Sequence, residues 1–423
     1  MGKITGLLIL LSILSTQALA GEGSLAFVGA RIIDGTAAEP IEDGVVVITD
    51  GRIRSVGPRS EVTISKDAEV IDVRGKTIMP GLVDAHGHVG GTIGLEGGHY
   101  NTENLLRQLS LYARYGVTMV NSLGGDEQQG FDLRNKQDNK NLNRARILVA
   151  GSVVAGDSED AIRAEVNRNT DMGVNYIKVR VDDNLGNGQK MPRDLFDALL
   201  DQAHTRRLPL AVHLFYLEDA KYILEAGADL VAHSIRDLPV DKEFIGLINE
   251  RDKCYVPTLT REVSTFVYED EPEFFKDPFF LKAVDLDVIE ELKKPQRQAR
   301  LRNSRSAQAY KKGLGVAMAN VGALYDAGVK IAMGTDTGLP ARFQGYFEHM
   351  EMQMMVEAGM SPLDAIRAST GVAAECINQG DIGTLEPGKW GDLIVMGANP
   401  AENIINTKTI ESVWIAGNRV PDK

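Results

Sequence analysis

The chain has 423 residues, a formal net charge of −13 and two cysteines. That length allows one large α/β domain plus a small accessory one. Scattered lysines and arginines in an acidic chain argue against nucleic acid as a partner and against a basic membrane-docking surface. Two cysteines make no disulfide framework, so Cys254 and Cys376 read as small buried hydrophobes.

The first twenty residues read as a secretory leader: Lys3, an apolar core from Ile4 to Ile13, and Ala18-Leu19-Ala20 as a cleavage site. That apolar run is short for a membrane span. The expectation is a periplasmic or secreted protein cut near Ala20, with no membrane partner beyond the leader.

From Ser24 to about Met79, short β-rich runs alternate with turns. Asp50-Gly51 between Gly44–Ile48 and Arg52-Ile53 is a hairpin signal. The C-terminal end returns to the same style at Asp392–Met396 and Ser412–Gly417. Neither segment could bury a core alone, which predicts one small β-sandwich built from residues 21–79 and 384–423.

Residues 80–383 follow another rhythm. Apolar runs at Gly116–Val120, Tyr176–Val179, Leu210–His213 and Leu230–His233 are separated by helical patterns. Leu217 to Ala226, closed by Gly227, is one helix's worth of chain between two such runs. Repeated βαβ units imply a parallel sheet covered on both faces, either a closed (β/α)8 barrel or an open doubly wound sheet. No Gly-x-Gly-x-x-Gly opens the first unit, which weighs against dinucleotide binding. An aromatic and acidic insertion at about 260–312 reads as a lid or as helices packed on the rim.

The chemistry-bearing residues sit at the ends of these runs. His86 and His88, in Pro80-Gly81-Leu82-Val83-Asp84-Ala85-His86-Gly87-His88, are two apart on a strand and so share a face, an arrangement that can grip a divalent metal. Lys178 interrupts an apolar strand, while His213, His233 and Asp336 each close one. A buried lysine is costly unless paired or modified. Carbon dioxide would turn its amine into a carbamate able to bridge two metals; a structural salt bridge is the alternative.

With those residues in view, the chain resembles the amidohydrolase superfamily of metal-dependent hydrolases across nearly its whole mature length. The opening pattern begins at Val70-Ile71-Asp72 and runs through Gly75-Lys76-Thr77-Ile78-Met79-Pro80-Gly81 to His88. The closing pattern is Gly383-Thr384-Leu385-Glu386-Pro387-Gly388-Lys389-Trp390-Gly391-Asp392-Leu393. Within the superfamily it resembles the imidazolonepropionase-like group, and there the Xaa-Pro and Xaa-Arg dipeptidase-like members with a bridging lysine. The resemblance implies a distorted (β/α)8 TIM barrel with the two-ended sandwich.

It also implies two divalent metal ions, zinc by default, although manganese, iron or cobalt suit the donors equally. His86 and His88 would hold the more buried ion and His213 and His233 the second. Lys178 would be the carbamate bridge, with Asp336 both ligand and general base. Two departures bear on substrate rather than chemistry: Val120-Asn121-Ser122-Leu123-Gly124-Gly125 after the second strand, and Ala232-His233-Ser234 after the sixth. The superfamily often assembles into homo-oligomers.

Two cations sharing one water lower its pKa towards neutrality, and Asp336 can pass the proton to a departing amine. Arg180, two residues beyond Lys178, could bind a substrate carboxylate, or pair with Asp182 or Asp183. Tyr216 could donate to the oxyanion, or pack at a helix start. His99 could reach in from the first loop; Arg236, Arg261 and Arg342 are weaker carboxylate binders. His204 and His349 lie on predicted helices and read as structural. The expected activity is metal-dependent hydrolysis of an amide in a small carboxylate-bearing substrate, a dipeptide or N-acyl amino acid. Hydrolysis of a cyclic amide, lactone or organophosphate is the rival enzyme reading. A silent binding protein would require a damaged ligand set, and all six positions are filled.

Overall fold

The structure, a computed structural model, describes residues 23–422, so the leader lies outside the described residues. The N-terminal chain forms β1 (Ser24–Ile32), β2 (Ile41–Thr49) and β3 (Arg52–Pro58), each antiparallel to the next. Asp50 and Gly51 both take positive φ, 50° and 79°, the two-residue turn whose twist suits a hairpin. β4 (Glu69–Asp72) and β5 (Thr77–Pro80) run parallel to β1 on its other edge.

Then the parallel strands begin. β6 (Leu82–Gly87) is followed by a short hairpin, β7 (Thr92–Ile93) with β8 (Glu96–Gly97). β9 (Val117–Ser122) and β10 (Arg146–Val149) complete a three-stranded sheet in the order β10-β9-β6. β11 (Ile177–Arg180), β12 (Leu210–His213), β13 (Leu230–Ala232) and β14 (Cys254–Val256) form a second parallel sheet in sequence order. Their interiors are almost wholly buried, as expected where both faces of a sheet are covered.

Helices fill the crossovers, and local signals set their ends. Ser158 accepts from the Ala161 amide at the start of Glu159–Met172, and Gly173 ends it at φ 83°. Leu217–Ala226 ends at Gly227, φ 115°, at the boundary expected from sequence.

Single bridges continue the pairing beyond the two sheets. Val154 pairs with Val179, and Tyr255 with Ile331. Met333 O accepts from the Ala85 amide at 2.9 Å and His86 O from the Thr335 amide at 3.0 Å. Residues 330–336 thus lie between β14 and β6.

The chain ends by rejoining the first sheet. β15 (Leu393–Met396) pairs with β5, then β16 (Ile410–Ile415) and β17 (Asn418–Arg419) follow, so both termini share one eight-stranded sheet. Its two faces bury different sets: Val46 and Ile48 pack with Phe27 and Leu393, while Val45 and Val47 pack with Ala26 and Val28.

Two sequence expectations meet their outcome in packing. The insertion is helical, and its Tyr268, Phe275 and Phe280 pack with Tyr115, Tyr346 and Phe347. The cysteine reading is corrected: Cys254, at the start of β14, and Cys376, ending the helix Gly371–Cys376, are disulfide-bonded, with Cα atoms 5.9 Å apart. At a sequence separation of 122, the helix returns to the strand, a proximity that linear spacing does not carry.

Candidate metal centre

β6 carries His86, and His88 follows directly on its end. Their rings lie 5.8 Å apart. Asp336 Oδ1 is 2.8 Å from His88 Nε2 and 3.6 Å from His86 Nε2, and the three residues offer ligand atoms within 4.8 Å of one another. Glycines allow this approach. A Cβ on Gly334 would come within 3.0 Å of the His86 amide nitrogen, and one on Gly338, at φ 90°, would collide with the His88 carbonyl.

Lys178 on β11, His213 closing β12 and His233 just past β13 face this trio. The His233 ring is 4.6 Å from that of His86 and 4.2 Å from that of His213. All six side chains line one cavity. Asp336, the farthest in sequence, reaches it from the segment laid against β6.

Three of the four imidazoles have one ring nitrogen engaged from behind. His88 Nδ1 lies 3.0 Å from Gly124 O, His213 Nε2 2.9 Å from Asp182 Oδ2, and His233 Nδ1 2.7 Å from Thr258 Oγ1. Such contacts fix the ring and leave the other nitrogen for a metal. Asp182 and Thr258 were not anticipated as ring-orienting groups. Residues 178, 180 and 182 alternate onto one side of the strand and its extension, which is the signal that could have found Asp182.

Burial sets the charge states. It lowers His213 to about 3 and holds His86 and His233 well below the ordinary imidazole value, so these rings present neutral lone pairs. Burial also lowers the Lys178 amine to about 7. For Asp336 burial opposes ionisation, but Arg342, then His88 and His86, outweigh it and keep the carboxyl well below its usual range.

The residues fit a metal centre. Among the described residues, buried His86 Nδ1 and Lys178 Nζ have no hydrogen-bond partner, a costly state in a finished protein interior and an ordinary one for atoms that meet a group the polypeptide does not supply. The neutral imidazoles, the carboxylate and an amine open to carbamate formation make a nitrogen and oxygen donor set for a divalent ion.

A buried polar layer lies beneath. Asp84 Oδ1 accepts from the His86 amide at 2.9 Å and Oδ2 from Thr335 at 2.7 Å, while Thr337 donates to Glu348 at 2.7 Å. Burial raises the carboxyls of both Asp84 and Glu348.

The expected substrate contacts divide. Arg180 lines the cavity with its side chain 48% exposed, 3.9 Å from Asp182. Arg261 and Arg342, the weaker candidates, also line it and flank Asp336, Arg342 through a direct ion pair with Oδ2 and Arg261 at 3.8 Å. Arg236, Tyr216 and His99 are not among the lining residues. Arg236 is buried, pairs with Glu262 and donates to Leu214 O. Tyr216 donates to Asp183 at 2.7 Å at the start of its helix, and His99 stands 3.9 Å from Glu96 on the first loop. His204 and His349 sit on helices, bonded to Asp229 and to Thr407 and Tyr115 O.

The model of the amidohydrolase family matches residues 77–420. An imidazolonepropionase of Haloarcula marismortui is 25% identical over 413 residues, spanning 89% of each chain. An imidazolonepropionase of Rhizobium rhizogenes is 46% identical, but over 65 residues only, 15% of this chain and 16% of that relative. A Xaa-Pro dipeptidase solved with methionine in its active site superposes with a TM-score of 0.75 at 21% identity, covering 94% of this chain and 99% of the other, a likeness of fold.

Proposed function

This chain is a hydrolase that belongs to the amidohydrolase family, and from that premise we propose that it cleaves the C–N bond of an amide in a small carboxylate-bearing substrate, a dipeptide or an N-acyl amino acid. We infer as its frame a distorted (β/α)8 barrel of residues 80–383, with 330–336 as the eighth lane. The two-ended eight-stranded sheet is its sandwich-like companion. The observation that carries the reading is the convergence of His86, His88, Lys178, His213, His233 and Asp336 on one cavity, with two buried nitrogens unpartnered among the described residues.

His86, His88 and Asp336 would hold one divalent ion, and His213 and His233 a second, with carboxylated Lys178 between them. Zinc suits this donor set, as do manganese, iron and cobalt. When bound, the ions supply Lewis-acid polarisation of the carbonyl and a water acidified towards neutrality.

The protein's own groups do the rest. Arg342 keeps Asp336 ionised, so its carboxylate is ready to accept a proton from the attacking water. The water oxygen joins the carbonyl carbon, the C–N bond breaks, and Asp336 returns the proton to the departing nitrogen. Arg180, half exposed at the mouth, receives the substrate carboxylate. Asp182, Thr258 and Gly124 O hold the imidazoles in orientation throughout.

Export to an oxidising compartment is part of the proposal. The leader-like first twenty residues and the Cys254–Cys376 disulfide support it, since disulfides persist outside the reducing cytosol. Hydrolysis of dipeptides and N-acyl amino acids, assayed with and without chelator, tests the activity. Chelator-sensitive amide cleavage is expected; turnover confined to lactones or phosphotriesters would overturn it.

A further inference from the structure

A second cavity adjoins the metal centre and shares Leu339 and Arg342 with it. The insertion supplies Phe280 and Val288 to its wall, the first crossover helix Leu111, and the chain after Asp336 supplies Phe343 and Tyr346, with Tyr115 beside them. We propose that this cavity receives a bulky apolar, ring-bearing substituent on the acyl side of the scissile amide. The inference rests on the amide-hydrolysis reading above and narrows its substrate class.

Several polar atoms of the wall are already engaged. The Tyr115 hydroxyl donates to the carbonyls of Phe279 and Phe280, and that of Tyr346 to Asp277, so both residues present ring faces. Gln108 Oε1 accepts from the Gly90 amide and from Gln344, and its amide donates to Thr92 O. The charged lining groups are Arg107, Asp285 and Arg342. The first two are opposite in sign, and Arg342 is neutralised by Asp336. Between these groups the wall offers a ligand the apolar surface of Leu111, Phe280, Val284, Val288 and Phe343. Burying a ring-sized group against such surface is worth about 25 cal/mol per Å2, whereas a small acyl group such as acetyl would leave the cavity unfilled.

The side of the amide follows from the strand order. Arg180 ends β11, and three strands, β12, β13 and β14, separate it from segment 330–336. On the other side β10, β9 and β6 intervene. Arg180 and the second cavity therefore stand across the metal centre from each other. A substrate whose carboxylate meets Arg180 directs its acyl substituent towards Leu339 and Arg342.

The test uses the metal-loaded protein and matched N-acetyl and N-naphthoyl derivatives of one amino acid. A hydrolysis-resistant naphthylmethyl amine analogue of the second is titrated by calorimetry. Val284→Trp and Ala283→Trp, on partly buried positions of the wall, fill the cavity without touching the metal centre. We expect kcat/KM at least about tenfold higher for the naphthoyl substrate. Either variant should erase that preference and weaken the analogue about tenfold, with acetyl turnover within about twofold of the parent. A preference for acetyl, or variants that leave both preference and analogue affinity intact, would overturn the cavity assignment. If neither amide is cleaved but the analogue binds and the variants weaken it, the cavity stands and amide hydrolysis fails.

Discussion

Asp182 Oδ2 stands 2.9 Å from His213 Nε2, and this contact decides which ring nitrogen of His213 is available. Burial keeps the ring neutral, so Nε2 carries the proton given to Asp182, and Nδ1 makes no hydrogen bond among the described residues. For Asp182, burial opposes ionisation, yet the hydrogen bond from His213 and the charge of Arg180 hold the carboxyl down to about 2. Asp182 is a positioning residue. Asp182→Asn should weaken metal affinity about 10–100-fold while the folded structure is retained. Chelator competition, alongside circular dichroism, reads both.

Asp336 is expected to separate binding from turnover. Asp336→Asn keeps a side-chain oxygen and the size of the side chain but removes the proposed base. Bound metal should fall modestly, while kcat drops by about 10²–10⁴-fold. Elemental analysis with steady-state kinetics checks the split. A variant with near-parental kcat would remove Asp336 from the proton pathway.

Lys178 is the proposed bridge. Lys178→Ala should lose metal, and added short carboxylic acids should restore part of both metal content and rate by occupying the vacated position. Full metal content and rate without added acid would refute the carbamate.

The disulfide predicts stability rather than catalysis. Closing a loop with a sequence separation of 122 contributes about 5 kcal/mol by the chain-entropy account. The double variant Cys254→Ala, Cys376→Ala should therefore unfold at distinctly lower denaturant concentration with kcat nearly unchanged. Unchanged unfolding midpoints would show that the cross-link adds nothing.

His349 gives a pH signature away from the metal centre. Burial lowers its imidazole from 6.5 to about 3, against the raising effect of the Tyr115 carbonyl. The unfolded chain binds this proton from about pH 6.5 downward and the folded chain does not. Its stabilisation is therefore complete above pH 6.5 and is lost as the pH falls towards 3. Between those limits the wild-type stability should rise with pH by up to about 1.4 kcal/mol per unit more than that of His349→Gln. Parallel urea-unfolding profiles for the two proteins would contradict this.

Sequence alone revealed what repeats or periodicity can carry. The alternation of apolar runs with helices located the parallel strands, Asp50-Gly51 the hairpin and Gly227 a helix end. The six cavity residues were legible because strand ends are where such folds place chemistry. Contacts created by tertiary closure were not legible. The Cys254–Cys376 link, the Thr258 hydroxyl behind His233 and the Asp84–Thr335–Glu348 layer join segments that no local pattern relates. Arginines were the hardest to rank. Arg180 ends a strand and Arg236, Arg261 and Arg342 lie beyond others, yet Arg236 is consumed by Glu262 and Leu214 O while the other three reach the cavity.

If six side chains drawn from across the chain hold two divalent ions that the reaction requires, activity must follow bound metal. Metal analysis of the purified, active protein, titrated against amide hydrolysis during chelation and reloading, tests it most directly. Activity should saturate as bound metal approaches two ions per chain and vanish with their removal. Full amide-cleaving activity in protein free of bound transition metal would contradict it.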